Sequence, residues 1–266
     1  MLAIGLTLLA VGVVAAVVCF FWKRSSDKTA GWWTAVAAVD IETALDAGDG
    51  IAVAVTGTTV APAGPDGAPQ KDPTLGTPAA WWRETVTEHW EERVRVNRSG
   101  NDSGPDHRWE ERSNTISSRE STAPFVVRDG GRDLTITLRD LDVEGDLLQS
   151  RADRVAASAG AASGEGGLAA TILAGLTQMT ADRRDHYVET RIDVLPDGVP
   201  VLVAGRMAGT TLVADAEHRL QVCEGTVEER LGESLKSAGR ARLGLIAAGV
   251  TAGIGALLSV VGAIVG

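Results

Sequence analysis

Histidine and cysteine, the side chains most often used as bases, nucleophiles and metal ligands, are few in this sequence. The histidines are His89, His107, His186 and His218. No pair of them has the spacing of a zinc site with cysteine or carboxylate partners. Cys223 follows His218 closely enough to be considered as a nucleophile with its base, but it lacks the flanking residues of known cysteine nucleophiles. A structural thiol is the favoured interpretation of Cys223.

Acidic residues gather at two places. Glu88, Glu91 and Glu92 surround His89, and a strand would divide these side chains between its two faces, so a solvated strand face is favoured. Between residues 140 and 146 every second residue is acidic, but the run lacks the spaced loop of a calcium-binding EF-hand. We therefore predict no catalytic, cofactor-binding or metal-binding residue, and no cofactor.

The charges of the chain define its organisation. Of the 266 residues, 25 are Lys or Arg and 35 are Asp or Glu, and all of them lie between Lys23 and Arg242. Two uncharged apolar blocks remain, at 1–22 and 243–266. At ~1.5 Å per residue each makes a helix of roughly 33 to 36 Å, which is enough to cross a hydrocarbon core of ~30 Å. The pattern excludes a purely soluble protein, and two spans are too few to house a transport pathway.

The first block is predicted to be an uncleaved anchor. It lacks the basic start and the small-residue cleavage site of a secretory signal peptide. The cations nearest the two blocks lie on the side of the middle region: Lys23, Arg24 and Lys28 after the first, and Arg230, Lys236, Arg240 and Arg242 before the second. Cytoplasmic flanks of membrane spans carry excess Lys and Arg, so we predict a cytoplasmic middle domain and both termini outside.

Composition adds three expectations. Cys19 and Cys223 cannot form a disulfide framework, which is typical of a reducing compartment. Arginine outnumbers lysine 21 to 4 in a chain rich in Ala, Gly and Val, a bias typical of GC-rich coding sequence. The formal net charge of -10 disfavours nucleic acid as a partner. The predicted location is the cell membrane of a bacterium.

The middle region is predicted to be mainly β. Strands are predicted over 51–60, 81–96, 108–118, 125–127, 134–138, 187–195, 199–204, 211–213 and 220–222. Residues 129–131 and 196–198 indicate the turns of two hairpins. Helices are predicted over 32–45 and 168–179 from their apolar period.

Two segments need a further argument. Residues 81–96 also fit a helix, because Trp82, Val86 and Trp90 are spaced by four, but the Thr and Val content favours a strand. Thr226 and Glu229 form a capping-box signature that opens a helix over 227–241. That helix is expected to continue into the second apolar block.

Small residues recur at four-residue spacing in the second block. Gly249 and Gly253, and likewise Gly262 and Gly266, allow another helix to approach closely. Two alternatives follow: self-association into a homo-oligomer through Gly249 and Gly253, or pairing with the first span.

Together these elements predict an α+β, mainly β fold, in which an antiparallel β-rich domain with one or two helices is flanked by two transmembrane helices. The predicted organisation is a transmembrane helix at 1–22, a linker and short helix at 23–50, the β-rich domain at 51–225, a juxtamembrane helix at 226–242 and a transmembrane helix at 243–266.

Three motifs in the middle region carry a family resemblance. They are PAAWWRETVTEH at 78–89 with Trp109 after a polar turn, PFVVRDGG at 124–131, and YVETRIDVLPDGVPVLVAG at 187–205. In this order between two spans they resemble the MULAN or GIDE family of membrane E3 ubiquitin ligases. The likeness covers roughly residues 51–266 and implies that the middle region is a GIDE domain, also called the "beside a membrane" or BAM domain.

The zinc chemistry of that family is not expected from this sequence. Family ligases carry a RING domain after the second span, and a RING holds two zinc ions with eight Cys or His ligands. This sequence contains two cysteines and four histidines. The resemblance is therefore to a bacterial-type member without the RING domain, and a non-enzymatic protein is expected.

The sequence supports one leading functional hypothesis and three alternatives. The leading hypothesis is a two-span membrane protein whose BAM-like domain is an interaction, scaffold or sensing module at the membrane surface, with the lipid bilayer and other proteins as partners. Its strand edges and Trp81, Trp82, Trp90 and Trp109 are candidate contact surfaces. The alternatives are the E3 ubiquitin ligase-like role that the resemblance implies, a hydrolase using Cys223, and an assembly factor for other membrane proteins.

Overall fold

The computed structural model of the chain describes residues 2–64, 67–74, 76–95, 107–156 and 183–265. These residues contain three α-helices, which are α1 (Leu2–Ala35), α2 (Ile41–Asp46) and α3 (Val227–Val265). Both α1 and α3 are long and apolar enough to cross a membrane, and β-strands contain most of the described residues between them. The predicted α+β, mainly β fold is thereby confirmed. The helix predicted over 168–179 lies outside the described residues.

Twelve strands lie in the described part of the chain. They are β1 (Ala37–Ala38), β2 (Ala52–Val60), β3 (Ala79–Arg95), β4 (His107–Glu120), β5 (Phe125–Asp129), β6 (Arg132–Ile136), β7 (Leu141–Val143), β8 (Gln149–Ala156), β9 (Arg183–Pro196), β10 (Pro200–Ala208), β11 (Thr211–Val213) and β12 (Leu220–Cys223). A short 3-10 turn, Gly145–Leu147, precedes β8.

The strands form two sheets. The first has the order β1-β2-β5-β6-β11-β10-β12-β7, and an additional pairing of β2 with β10 links five of its strands into a closed ring. Within it β1 runs parallel to β2 and β6 parallel to β11, whereas β10 is antiparallel to β11 and β12. The second sheet has the order β4-β3-β9-β8, and its three pairings are all antiparallel.

The chain divides into two compact units. Unit 1 comprises residues 1–57, 128–142 and 200–266, and unit 2 comprises residues 58–127 and 143–199. Unit 1 contains both long helices, and unit 2 contains the four-stranded sheet.

Of the segment 81–96, the described residues 81–95 form a strand rather than a helix. β3 runs through this segment as far as Arg95, pairing with β4 on one side and β9 on the other. The first predicted hairpin is also confirmed. Its turn residues Gly130 and Gly131 have φ of 55° and 81°, the positive values that a type I′ hairpin turn requires.

The second predicted hairpin is wrong, although both of its strands exist. β9 joins the four-stranded sheet, whereas β10 joins the larger one. The turn between them is bonded to a third segment instead. The amide of Gly198 donates to the carbonyl of Thr59 at 2.9 Å, and the amide of Thr59 donates to the carbonyl of Val199 at 2.9 Å. The Pro-Asp-Gly signal therefore marks a change of sheet rather than a hairpin.

The helix predicted over 32–45 is also wrong in extent. α1 continues unbroken to Ala35, and a separate helix, α2, begins at Ile41. Between them β1 pairs with β2. Asp40 caps α2, because its Oδ1 accepts a hydrogen bond from the amide of Thr43 at 2.7 Å. A hydrogen bond from the Thr43 side chain and this bond from the Thr43 amide lower the pKa of Asp40.

The capping box at the start of α3 is confirmed. The Thr226 amide donates to the Glu229 carboxylate at 2.8 Å, and the Glu229 amide donates to the Thr226 hydroxyl at 3.2 Å. From there α3 continues for 39 residues without interruption, so the juxtamembrane helix and the second span are one helix.

Candidate functional site

The two long helices form an antiparallel pair within unit 1. Four contacts define the register, each joining a residue of α1 to one of α3: Gly5 to Ser259, Gly12 to Ala252, Cys19 to Gly244 and Ser26 to Ser237. As the residue number along α1 rises, the number of its partner on α3 falls by nearly the same amount, which shows that the two helices run antiparallel. The α1 residues are seven apart, which is the heptad spacing of helices that wind around each other.

Small side chains allow this close approach. A Cβ atom at Gly12 would lie 2.6 Å from the backbone nitrogen of Ala252, and one at Gly5 would lie 2.5 Å from the Ser259 hydroxyl. A Cβ atom at Gly255 would overlap the backbone of Leu9. Side chains at these positions would force the helices apart. We call this contact line, formed by Gly5, Gly12, Cys19 and Ser26 with Ser237, Gly244, Ala252, Gly255 and Ser259, the small-residue seam.

The large apolar side chains of both helices point away from the seam. Val14 is 63% exposed and Leu257 is 69% exposed. Others that are exposed are Ile4, Leu6, Val11, Val13, Val17, Val18, Phe20, Phe21, Leu243, Ile246, Val250, Ile254, Val260 and Val261. In water this arrangement would be reversed, because a soluble helix pair buries its large apolar side chains.

Gly249 and Gly253, which the sequence singled out, do not take part in this seam. Both are exposed, and a Cβ atom at either would have open space around it. The neighbouring Ala248 is buried, and Ala252 contacts Gly12. Pairing with the first span therefore uses other residues of α3, and self-association through Gly249 and Gly253 stays a prediction.

The polar ends of both helices are fixed to the larger sheet. Trp32 and Trp33 of α1, Val36 directly after it, and Val227 of α3 form one hydrophobic cluster with Ala54, Leu202, Ala204 and Cys223. The tryptophans are each only 4% exposed. This cluster, which we call the helix–sheet joint, joins the helical pair firmly to the sheet of unit 1.

Cys223 has structural contacts at this joint. It is buried, and its thiol lies 3.7 Å from the carbonyl oxygen of Leu202, to which it donates. His218 has other partners, since its ring stacks on Trp32 with a centroid distance of 4.8 Å and its Nδ1 is 3.5 Å from an oxygen of Asp215. The contacts of these two residues are not those of a nucleophile and its base.

The loop before β12 also carries a charged contact. Arg206 Nε lies 2.7 Å from Asp215 Oδ1. The hydrogen bond from Arg206 is the main reason why the pKa of Asp215 is lowered, and the amide of Ala216, which donates at 2.7 Å, contributes in the same direction.

A group of six cations lies on α1 and α3 directly beside their apolar halves. We call it the basic collar, and it consists of Lys23, Arg24, Lys28, Lys236, Arg240 and Arg242. Four of its members lie between two seam contacts, Cys19 to Gly244 and Ser26 to Ser237, and are therefore at the same height along the helical pair. They are Lys23, Arg24, Arg240 and Arg242. A shallow groove of about 450 Å³ opens at this level, lined by Phe20, Lys23, Arg24, Asp27 and Lys28.

The sheet of unit 2 is highly charged. Opposite charges face each other across neighbouring strands, as in Arg184 with Glu91 at 2.6 Å and Arg154 with Glu189 at 2.6 Å. Such exposed pairs contribute little to stability. The edge strand β4 is exposed along most of its length.

Asp193 is a buried acid at the centre of this sheet. It lies opposite Arg83 of β3 and Ser150 of β8. Its Oδ1 accepts hydrogen bonds from Ser150 at 2.6 Å and from Arg191 at 2.9 Å. Burial raises the pKa of Asp193, but these bonds and the charges of Arg191 and Arg83 together outweigh it, so the pKa lies below its usual range.

The sequence did not predict a buried hydrogen-bonded pair in the same sheet. Glu88 Oε1 lies 2.6 Å from His186 Nε2, and the two side chains are 8% and 5% exposed. A bulge opposite Trp90, with Asp185 at φ of 51°, precedes His186 in β9. The expectation of a solvated face is therefore wrong for Glu88, whose partner lies 98 residues further along the chain.

The remaining histidines have surface positions. The His89 ring stacks on Tyr187 with a centroid distance of 4.7 Å, and His107 is exposed at the start of β4. Of the acidic residues between 140 and 146, Asp140 precedes β7, Asp142 lies on it, and Glu144 and Asp146 lie at the 3-10 turn that follows. Among the described residues no three His, Cys, Asp or Glu side chains are grouped to hold a metal ion.

The four tryptophans that were candidate contact surfaces differ in exposure. Trp81 is buried, Trp82 and Trp90 are half-buried, and Trp109 is 37% exposed. Trp109 is therefore the most exposed of the four, although Arg184 lies over its ring at 4.2 Å.

Comparison with known proteins gives no relative. No protein-family model, no curated protein and no solved structure matches the chain. The motifs that carry the resemblance to the GIDE domain lie on β3, on the β5–β6 hairpin and on β9 with β10.

The seam was detectable in the sequence. Gly5, Gly12, Cys19 and Ser26 are small residues at a strict seven-residue interval. Their partners on α3 follow a similar spacing of seven or eight residues, whereas the four-residue Gly spacing of the second block lies on the outer face of α3.

Proposed function

We propose that the chain is a two-span protein of the bacterial cell membrane whose β-rich domain is an interaction, scaffold or sensing module on the cytoplasmic surface. The observation that carries the membrane assignment is the reversed pattern of the helical pair. Small residues meet at the seam, and Val, Leu, Ile and Phe side chains point outward. Such an apolar outer surface is suited to contact with lipid, because close packing rather than apolar burial joins helices in a bilayer.

The helix–sheet joint supports the role of a platform. α1 and α3 have about 51 and 58 Å of helix, which exceeds the ~30 Å of a hydrocarbon core. The excess length leads directly into the buried cluster of Trp32, Trp33 and Val227. The sheet of unit 1 is thereby held at a fixed distance from the proposed membrane, as an interaction module at its surface requires.

The charge distribution supports the cytoplasmic side. The basic collar lies at the domain end of both apolar halves, and the other ends carry no Lys or Arg. This is the asymmetry of the positive-inside rule. The family that the sequence resembles, with a GIDE domain between two spans, would have the same order of elements, and we propose that relationship on the motifs at 78–89, 124–131 and 187–205.

Single-cysteine labelling in intact bacteria tests the topology. Both native cysteines are replaced, and one new cysteine is placed at exposed Ser118 of β4 or at exposed Ala3 near the start of α1. A membrane-impermeant maleimide should label Ala3→Cys in intact cells and Ser118→Cys only after permeabilisation. Labelling of Ser118→Cys in intact cells would contradict a cytoplasmic domain. Release of the protein by alkaline carbonate would contradict the two spans.

The interaction role is tested at the exposed edge of unit 2. A photo-crosslinking residue at Ser118 of β4 is compared with one at exposed Glu42 of α2, which lies in unit 1. Adducts of defined mass from native membranes should form at Ser118 and not at Glu42. Equal or absent adducts at both positions would contradict partner binding by the unit 2 sheet.

A further inference from the structure

We propose that the basic collar is a binding site for the headgroups of anionic phospholipids. The inference rests on the proposed membrane insertion of α1 and α3, and it adds a ligand class to that proposal. It follows from the charge of the collar, from its position, and from the absence of ion pairs at Arg24, Arg240 and Arg242 in the described part of the chain.

The collar is positively charged in a protein that is otherwise strongly acidic. It contains six Lys or Arg, and Asp27 is the one acid within 23–28 and 236–242. The rest of the chain then holds 19 Lys or Arg and 34 Asp or Glu. The acidic remainder repels an anionic surface, so attraction to such a surface is confined to the collar.

Most of the collar cations are not neutralised by the protein. Lys23 pairs with Asp27, and Lys28 lies 3.6 Å from Glu217 in an exposed pair. In the described part of the chain, Arg24, Arg240 and Arg242 form no ion pair. Arginine guanidinium groups bind phosphate through two parallel hydrogen bonds, so these three side chains are suited to phosphodiester groups.

The position of the collar fits a headgroup rather than a solute in bulk water. Phe20, Phe21 and Trp22 come directly before it and are exposed, as aromatic residues at the membrane–water interface are. The groove beside it combines the ring of Phe20 with Lys23, Arg24 and Lys28. The acyl chain of a phospholipid can contact Phe20, and its phosphate can bind Lys23, Arg24 and Lys28. Basic sites at this depth in a membrane recognise anionic lipids.

The test measures lipid selectivity of the full-length protein. The chain is reconstituted into phosphatidylcholine vesicles with a trace of spin-labelled phosphatidylglycerol or spin-labelled phosphatidylcholine. Electron paramagnetic resonance then gives the relative association of the two labels. One Lys or Arg near an anionic lipid surface contributes about fivefold in affinity, so we expect the wild-type protein to prefer phosphatidylglycerol by at least about fivefold at low salt.

Three variants locate the effect. Replacing Arg24, Arg240 and Arg242 together with Gln should reduce the preference at least about fivefold relative to the wild-type protein, since each cation contributes separately. Replacing the same three with Lys should retain it. Replacing Arg128, Arg132 and Arg151, which are exposed and lie in ion pairs outside the collar, gives the same change in net charge and should leave the preference intact.

Several results would overturn the proposal. They are no preference in the membrane-embedded wild-type protein, a preference that survives the Gln variant of the collar, and an equal loss in the control variant. Displacement of the labelled lipid by millimolar inorganic phosphate at constant ionic strength would show that free phosphate is the ligand. A wild-type protein that does not insert into vesicles would instead refute the proposed two-span function.

Discussion

The thiol of Cys19 points at Gly244 across the seam between α1 and α3. A Cβ atom at position 244 would lie 3.0 Å from Cys19 Sγ and 4.0 Å from Cys19 Cβ. A side chain at position 244 would therefore require the Cys19 sulfur atom to shift by a few tenths of an ångström. Because Cys19 belongs to the apolar half of α1 and Gly244 to that of α3, this contact defines the pairing of the two proposed spans.

Filling the seam should weaken the helical pair. In Gly12→Leu the new side chain meets the backbone of Ala252, and overpacking of this kind costs about 1 to 3 kcal/mol. We expect a lower thermal midpoint for the helical circular dichroism signal of the protein in detergent. Gly253→Leu is the matched control, because position 253 has open space. Equal midpoints for the two variants would contradict the seam.

The outer glycines should act between molecules rather than within one. If α3 self-associates through its exposed face, replacing Gly249 and Gly253 with Leu blocks the approach of a second copy. The signal of a membrane two-hybrid reporter should fall, while the thermal midpoint of the monomer in detergent stays at or above that of the wild-type protein. An unchanged reporter signal would exclude this homo-oligomer interface.

The buried pair of Glu88 and His186 should contribute strongly to the stability of unit 2. Glu88→Ala leaves the imidazole buried without its partner, which costs about 2 to 4 kcal/mol. Glu88→Gln keeps a hydrogen-bonding group and should cost less. Glu92→Ala on the same strand removes only an exposed pair with Arg112, worth about 0 to 1 kcal/mol. The thermal midpoint from tryptophan fluorescence measures the stability of all three variants. An equal loss of stability in Glu88→Ala and Glu92→Ala would contradict a strong contribution from the buried pair.

Long-range pairing is the part of this fold that local sequence patterns could not supply. The Gly130–Gly131 turn and the Thr226–Glu229 capping box were predictable because their residues are neighbours and satisfy one another. The turn at 196–198 has an equally strong local signal, yet its bonds go to Thr59. Nothing in the residues next to it indicates that partner.

The same reason explains why the candidate site was only partly foreseen. The collar and the two spans follow from composition alone. The pairing of Glu88 with His186 depends on the alignment of β3 with β9 and on a bulge in β9, and neither is encoded within either strand. The seam was encoded, but in two blocks more than 200 residues apart.

Acid should weaken unit 2 through Asp193. Its pKa in the folded protein is lowered from the ordinary value of 3.8, so the carboxylate stabilises the fold above that value and loses its contribution as the pH falls through the lower folded pKa. Asp193→Asn should therefore be less stable than the wild-type protein at neutral pH, and the difference should shrink below about pH 4.

The measurement for Asp193 is the thermal midpoint from tryptophan fluorescence between neutral pH and about pH 3. Asp153→Asn serves as the control, since Asp153 is an exposed acid on neighbouring β8 with a long ion pair to Arg151. A difference between the wild-type protein and Asp193→Asn that stays constant across this range would contradict a stabilising carboxylate at position 193.

The antiparallel pairing of the two spans is tested most directly by a disulfide between Cys19 and a cysteine at position 244. The Cβ separation of 4.0 Å falls within the range of about 3.5 to 4.5 Å found in disulfides. The Gly244→Cys substitution is made with Cys223→Ser, and the protein is oxidised in native membranes. Cyanogen bromide then cleaves after Met179 and Met207, which separates Cys19 from position 244.

The two terminal fragments should remain joined on a non-reducing gel and separate on reduction, and the uncleaved protein should keep the mass of a monomer. Gly249→Cys in the same background, facing open space, should give separate fragments. Separate fragments from oxidised Gly244→Cys, or equal linkage in both variants, would contradict the paired helical hairpin on which the account of this protein depends.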